Sequence, residues 1–250
     1  MTPLAVVLAL LVGLTLGLLG GGGSILTVPV LVYALGVDPK AAVVMSLPIV
    51  GGAAIVGALQ QWRLGHIELG RAVPFGVAAM AGAYSGARLA RGLAGTTQLL
   101  ILGVVMLAAA ISMLRSAELV APAEPAPRHA SPKLLAVGAL GGVLTGVVGV
   151  GGGFLIVPAL VLLGGVSMTH AVGTSLLVIA MNTAAGYFGH HGSEVIPWEL
   201  VLAFGAVVSI GIVVGGRLLR LVAQPKLKRA FAVLILVVAG LLIWQNQSLL

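Results

Sequence analysis

Cysteine is absent from the 250 residues, which excludes disulfides, thiol chemistry and cysteine-held metal and leaves the redox compartment unspecified. Charge is scarce as well. Asp, Glu, Lys and Arg make up 8% of the chain, where a soluble globular domain carries about a quarter. Aromatics reach only 4%, so although 13 Lys and Arg against 6 Asp and Glu give a net charge of +7, stacking platforms for bases are missing. The positive residues lie between apolar runs, which makes them topology charges and speaks against nucleic acid. Signatures of catalysis are missing too. No Gly-Lys-Ser/Thr follows a glycine run, no G-x-G-x-x-G is completed, and neither H-E-x-x-H nor a nucleophile elbow occurs.

What the chain has is apolar length. Hydrophobic residues make 60% of it and the mean hydropathy is +1.19. A hydrocarbon core about 30 Å thick takes about 20 apolar residues per helix, so this length supplies at most about ten crossings and no separate soluble domain. Apolar segments are expected near residues 3–19, 24–36, 41–62, 71–90 and 96–114, and again near 133–148, 153–165, 170–190, 197–219 and 230–246. Met1 to Leu19 has no Lys or Arg ahead of its apolar stretch and reads as a retained first span. The fold class is therefore an all-α membrane protein, a polytopic helical bundle. Residues 115–132, with Pro122, Pro125, Pro127 and Pro132, form the one plausible linker, cytoplasmic and poorly helical, between a first repeat at 1–114 and a second at 133–250.

The repeat rests on a motif found twice. A glycine run leading into a short apolar stretch ends in proline at Gly20 to Pro29 and at Gly149 to Pro158, offset by 158 − 29 = 129 positions. Across Gly20 to Leu47, 14 of 28 positions equal those 129 later, against roughly a tenth expected from composition alone. Each half holds five segments, an odd number, so the second copy enters the membrane from the opposite side as an inverted-topology repeat. If both termini face the periplasm of a bacterial inner membrane, Arg63, Arg71, Arg115, Arg128, Lys133, Arg217, Arg220, Lys226, Lys228 and Arg229 are cytoplasmic and only Lys40, Arg88 and Arg91 are not.

Segments 24–36 and 153–165 are too short to span comfortably and read as broken or re-entrant half-helices that begin inside the protein. A helix N-terminus carries about half a positive charge and four unpaired amides, a ready site for an anion. The candidate binding residues are Gly21, Gly22, Gly23, Ser24 and Ile25 in the first half and Gly151, Gly152, Gly153 and Phe154 in the second. Ser46 and its counterpart Ser175, with Thr174 and Asn182, add hydroxyl and amide groups; 175 and 182 share a helical face. Those serines and threonines could instead bond back to their own helix. Gly82 and Gly86, like Gly211 and Gly215, are spaced four apart and are expected to serve helix packing. His190, His191 and Glu194 are expected in a solvated loop, and Arg88 and Arg217 to snorkel at segment ends. No metal or other cofactor is expected.

Gly149-Val-Gly-Gly-Gly-Phe-Leu-Ile-Val-Pro158 followed by Ala171-Val-Gly-Thr-Ser175, with the related Gly20 to Pro29, resembles the sulfite exporter TauE/SafE family over essentially the whole chain. The resemblance implies a multi-pass plasma-membrane transporter of sulfite or an organosulfonate such as sulfoacetate. Ala42-Val-Val-Met-Ser46 departs from the second motif and implies a site with more polar contact from the second half. The expectation is a secondary transporter of a small anion working by alternating access, with a passive anion channel or a non-transport assembly factor as alternatives. The expected partners are the small anionic substrate and the lipid bilayer, with a homodimer open and no nucleic acid.

Overall fold

Ten helical segments carry the chain in the computed structural model, which describes residues 3–115, 131–190, 192, 194–218 and 224–246. They are α1 (Pro3–Leu19), α2 (Gly22–Ala34), α3 (Pro39–Arg63), α4 (Leu69–Ala90), α5 (Gly95–Arg115), α6 (Pro132–Val148), α7 (Gly153–Leu162), α8 (Met168–His190), α9 (Trp198–Leu218) and α10 (Gln224–Asn246). No strand occurs among the described residues, in keeping with the expected all-α bundle. Of the proline-rich linker, residues 116–130 lie outside the described residues, as do His191 and Arg220.

The starts of the helices follow from local chemistry. Asp38 caps α3 by accepting from the Lys40 amide at 2.9 Å, with Pro39 in the first turn, and Ser131 caps α6 by accepting from the Leu134 amide at 3.3 Å, with Pro132 behind it. Two boundaries differ from the sequence expectation by three residues or more. Helix α7 stops at Leu162, three residues early, because Gly164 and Val166 turn their amides back onto the carbonyls of Ala159 and Leu160. Helix α10 starts at Gln224, six residues early, since Pro225 suits a first turn and the basic residues after it continue the helix.

Among the described residues α3, α8 and α9 are long and apolar enough, by length and composition, to cross a membrane; α1, α2, α6 and parts of α5 and α10 are shorter apolar helices. The outer surface is apolar as well. Leu89, Leu140, Leu202 and Trp244 are each at least 66% exposed, a surface that lipid solvates and water does not. Inside, glycines let helices approach backbone to backbone. Gly13 and Gly17 of α1 lie against Gly211 and Gly215 of α9, and Gly82 and Gly86 of α4 face α6 beside Gly142 and Gly146. A side-chain carbon at any of these would run into the partner's main chain, which is the packing role expected for the glycines spaced four apart.

Helices α3 and α8 pack against each other at the centre. Around them the extensive pairings are α1 with α9, α4 with α6, α3 with α9, α4 with α8 and α5 with α10. Adding 129 to the residues of one half and subtracting it from the other turns α1–α9 into α6–α4 and α3–α9 into α8–α4. At one end of the bundle the His66 and His170 rings meet edge to face at 5.6 Å. At the other, Lys40 Nζ donates to the Arg91 carbonyl at 3.3 Å and Arg91 Nε to the Gly189 carbonyl at 2.9 Å.

Candidate functional site

The site begins with two serines. Ser46 on α3 points its hydroxyl at the Gly149 carbonyl and, at 2.6 Å, at the Val43 carbonyl; Ser175 on α8 does the same to the carbonyls of Gly20 and, at 2.8 Å, Val172. Each half thereby fixes the glycine loop of the other. The serine hydroxyls are committed to main-chain oxygen, so they build the site and are not turned toward a ligand.

Held in this way, the two loops touch. Gly21 and Gly153 lie backbone against backbone with the Ile179 side chain beside both, and Gly151 sits between Ile179, Val50 and the Ser24 Cβ. Val50 and Ile179 are 129 positions apart and wholly buried, so α3 and α8 place equivalent apolar side chains on either side of the meeting point. Gly20 to Leu26 and Gly149 to Gly153 are all buried, which closes this centre off from solvent.

The donors are unequal between the loops. Helix α7 starts cleanly: Gly152 takes φ 67° as its N-cap, a left-handed conformation that glycine alone adopts readily, and the Leu155 and Ile156 amides return to the Gly152 carbonyl. The amides of Gly151, Gly152 and Gly153 donate to nothing within the described residues. Helix α2 starts as a tight 3₁₀ stretch, Gly22–Leu26, after Gly21 at φ 120°; the Ser24 amide and hydroxyl both donate to the Gly21 carbonyl, at 3.2 and 2.7 Å. There the Gly21 amide returns to the Leu16 carbonyl at 3.2 Å, and the amides of Gly20, Gly22 and Gly23 donate to nothing within the described residues.

Two polar side chains stand over the second loop. Asn182 Nδ2 donates to Thr145 Oγ1 at 2.9 Å, and both residues are buried. A side-chain carbon added to Gly152 would lie 2.5 Å from Thr145 Oγ1 and 3.3 Å from Asn182 Nδ2, so the pair rests on that glycine. The positions 129 earlier are Leu16 and Ala53, both apolar.

Among the candidate residues, then, Gly21 to Ile25, Gly151 to Gly153 and Asn182 come together, with Ser46 and Ser175 behind them. Thr174 does not join them: its Oγ1 accepts from the Glu68 amide at 3.0 Å, at the α3–α4 connection. The Phe154 side chain lies outside the described residues. Thr145, Val50 and Ile179 were missed from the sequence because nothing marks them in an apolar helix. Comparing each position with its partner 129 away would have exposed Thr145, since Leu16 stands opposite it.

The histidine cluster departs from expectation. His190 is not in a solvated loop; it is the last residue of α8, buried, with Nε2 at 2.8 Å from the Gly146 carbonyl. The close packing of α6 on α4 draws that carbonyl inward, and the ring caps it. Glu194 is only partly covered, and Arg88 and Arg217 sit exposed in the last turns of α4 and α9. A groove of about 410 Å³ between α1, α2 and α10 is lined by Leu8, Leu11, Pro29, Tyr33 and Leu241 and is almost wholly apolar, unlike the glycine centre.

Comparison with known proteins agrees with this architecture. The profile of the sulfite exporter TauE/SafE family matches residues 5–242. The chain belongs to that family. It is 33% identical over 253 residues to a probable membrane transporter protein of Xylella fastidiosa (strain 9a5c), covering 95% of this chain and 93% of the relative. It is 27% identical to the probable membrane transporter protein YdhB of Bacillus subtilis (strain 168), covering 96% and 99%. No solved structure matches. This TauE/SafE chain is accordingly a membrane protein of a transporter family.

Proposed function

We propose that this TauE/SafE protein is a secondary transporter that moves a small oxyanion, sulfite or an organosulfonate such as sulfoacetate, across the bacterial inner membrane by alternating access. Transport, and not catalysis, is its activity. The observation that carries the reading is the cluster of unpaired amides at Gly151, Gly152 and Gly153, buried at the start of α7 against the loop of the other half. Buried amides without partners are costly, and a bound anion satisfies them. A helix N-terminus supplies about half a charge, enough to attract an anion without the cost, about 3 kcal/mol, of a full charge at the bilayer centre. Such a site binds and also releases.

The two halves act as inverted repeats. The exchange of helix partners under the 129-residue offset and the reciprocal serine contacts support this, and rocking of one half against the other would open the closed centre to each side in turn. Both termini face the periplasm, as the distribution of Lys and Arg favours.

The test is sulfite flux in proteoliposomes. Gly152→Leu and Gly23→Leu are each expected to abolish flux while the protein remains folded in the membrane, as judged by monodisperse extraction. Full flux in both variants would remove the reading.

A further inference from the structure

Asn182 is wholly buried, and its Oδ1 has no hydrogen-bond partner. The orientation of the carboxamide follows from its neighbour. Thr145 Oγ1 donates to the Gly141 carbonyl at 2.9 Å, so its hydrogen is committed and it can only accept from Asn182; the nitrogen end therefore faces Thr145 and the oxygen end is free. A lone acceptor beside three unpaired amide donors is a mixed set. A fully deprotonated anion satisfies the donors and is repelled by the acceptor, whereas an anion carrying one O–H satisfies both.

We infer that Asn182 Oδ1 accepts a hydrogen bond from the substrate, so that the site takes the singly protonated, monovalent form of a small oxyanion in preference to its dianion. The inference rests on the carrier reading above and names the ionic form carried. No counterpart exists in the first half, where position 53 is alanine, so a single proton on the ligand suffices. Charged groups on α8 and on the helices packed against it stand away from Asn182. His170, Lys40, Arg63, Arg71, Arg88 and Lys133 occupy the terminal turns of their helices, His190 ends α8 and faces Gly146, and α7 carries none. The proton recognised by Asn182 therefore belongs to the ligand.

Calorimetric titration of the intact protein in nanodiscs with sulfite and with methanesulfonate tests this. Sulfite takes up a proton near neutrality and methanesulfonate stays an unprotonated monoanion. The affinity for total sulfite is expected to fall about tenfold between one pH unit below that ionisation and one above, following the hydrogen sulfite fraction, while methanesulfonate binding stays level. Asn182→Ala should weaken hydrogen sulfite binding about tenfold and flatten the pH slope. A sulfite affinity in the wild type that is level or rises with pH, with methanesulfonate still bound, overturns the inference alone, as does a sodium requirement without a pH slope. If neither anion binds at any pH, the carrier reading fails and this inference falls with it.

Discussion

The two glycine loops share a motif and differ in what they build. In the first, Gly21 and Ser24 stand where the second has Val150 and Gly153. Ser24 then returns both its amide and its hydroxyl to the Gly21 carbonyl, and α2 runs from a 3₁₀ start into a wide π-helical end at Val30–Ala34. In the second, glycine at 152 permits the left-handed cap, α7 is regular from its first residue, and the amides from Val150 to Gly153 donate to nothing within the described residues. The side chains above the loops follow the same division, Leu16 and Ala53 against Thr145 and Asn182. The two loops share their joints, the serine contacts and glycine crossings, while the Thr145 and Asn182 side chains stand over the second loop.

The contrast can be broken most forcefully at position 152. Gly152→Ala places a Cβ 2.5 Å from Thr145 Oγ1 on a backbone with positive φ, and flux is expected to fall at least about a hundredfold. Removal of the polar pair comes next: Thr145→Val with Asn182→Leu should lower anion affinity about tenfold or more, whereas Leu16→Val in the first half should leave affinity within about twofold, as read by ligand-induced thermal shift. Equal losses in the two halves would erase the asymmetry. The serines sharpen the shared part. Ser46→Ala and Ser175→Ala should each destabilise by about 1 kcal/mol, a fall of a few degrees in melting temperature and similar for the two. The smallest effect is expected at an exposed cap remote from both loops: Asp38→Ala should cost about 0.5 to 1 kcal/mol in stability and leave affinity unchanged.

Much of this was legible in the sequence. Hydropathy and the Gly and Pro breaks placed the helices, and the four-residue glycine spacing separated packing positions such as Gly82 and Gly86 from the consecutive glycines of the loops. Other features depend on contacts between distant parts of the chain. Ser46 reaches Gly149, 103 residues away, and Ser175 reaches Gly20, 155 away, so hydroxyls that read as ligand donors turn out to hold the loops. Thr174 follows Glu68 for the same reason, because the end of α3 comes to lie beside the start of α8. His190 looked solvated among polar neighbours, and only the packing of α6 reveals the carbonyl it caps. Asn182 alone among the side-chain candidates kept a free hydrogen-bonding atom at the loops.

A cryo-electron microscopy map of the protein in nanodiscs with saturating sulfite tests the central claim most directly. The account predicts density for one anion between the Gly151–Gly153 amides and the Asn182 carboxamide, with α7 beginning at that point. Anion density only elsewhere, or a continuous helix through residues 149–165 along the lipid boundary, would contradict it.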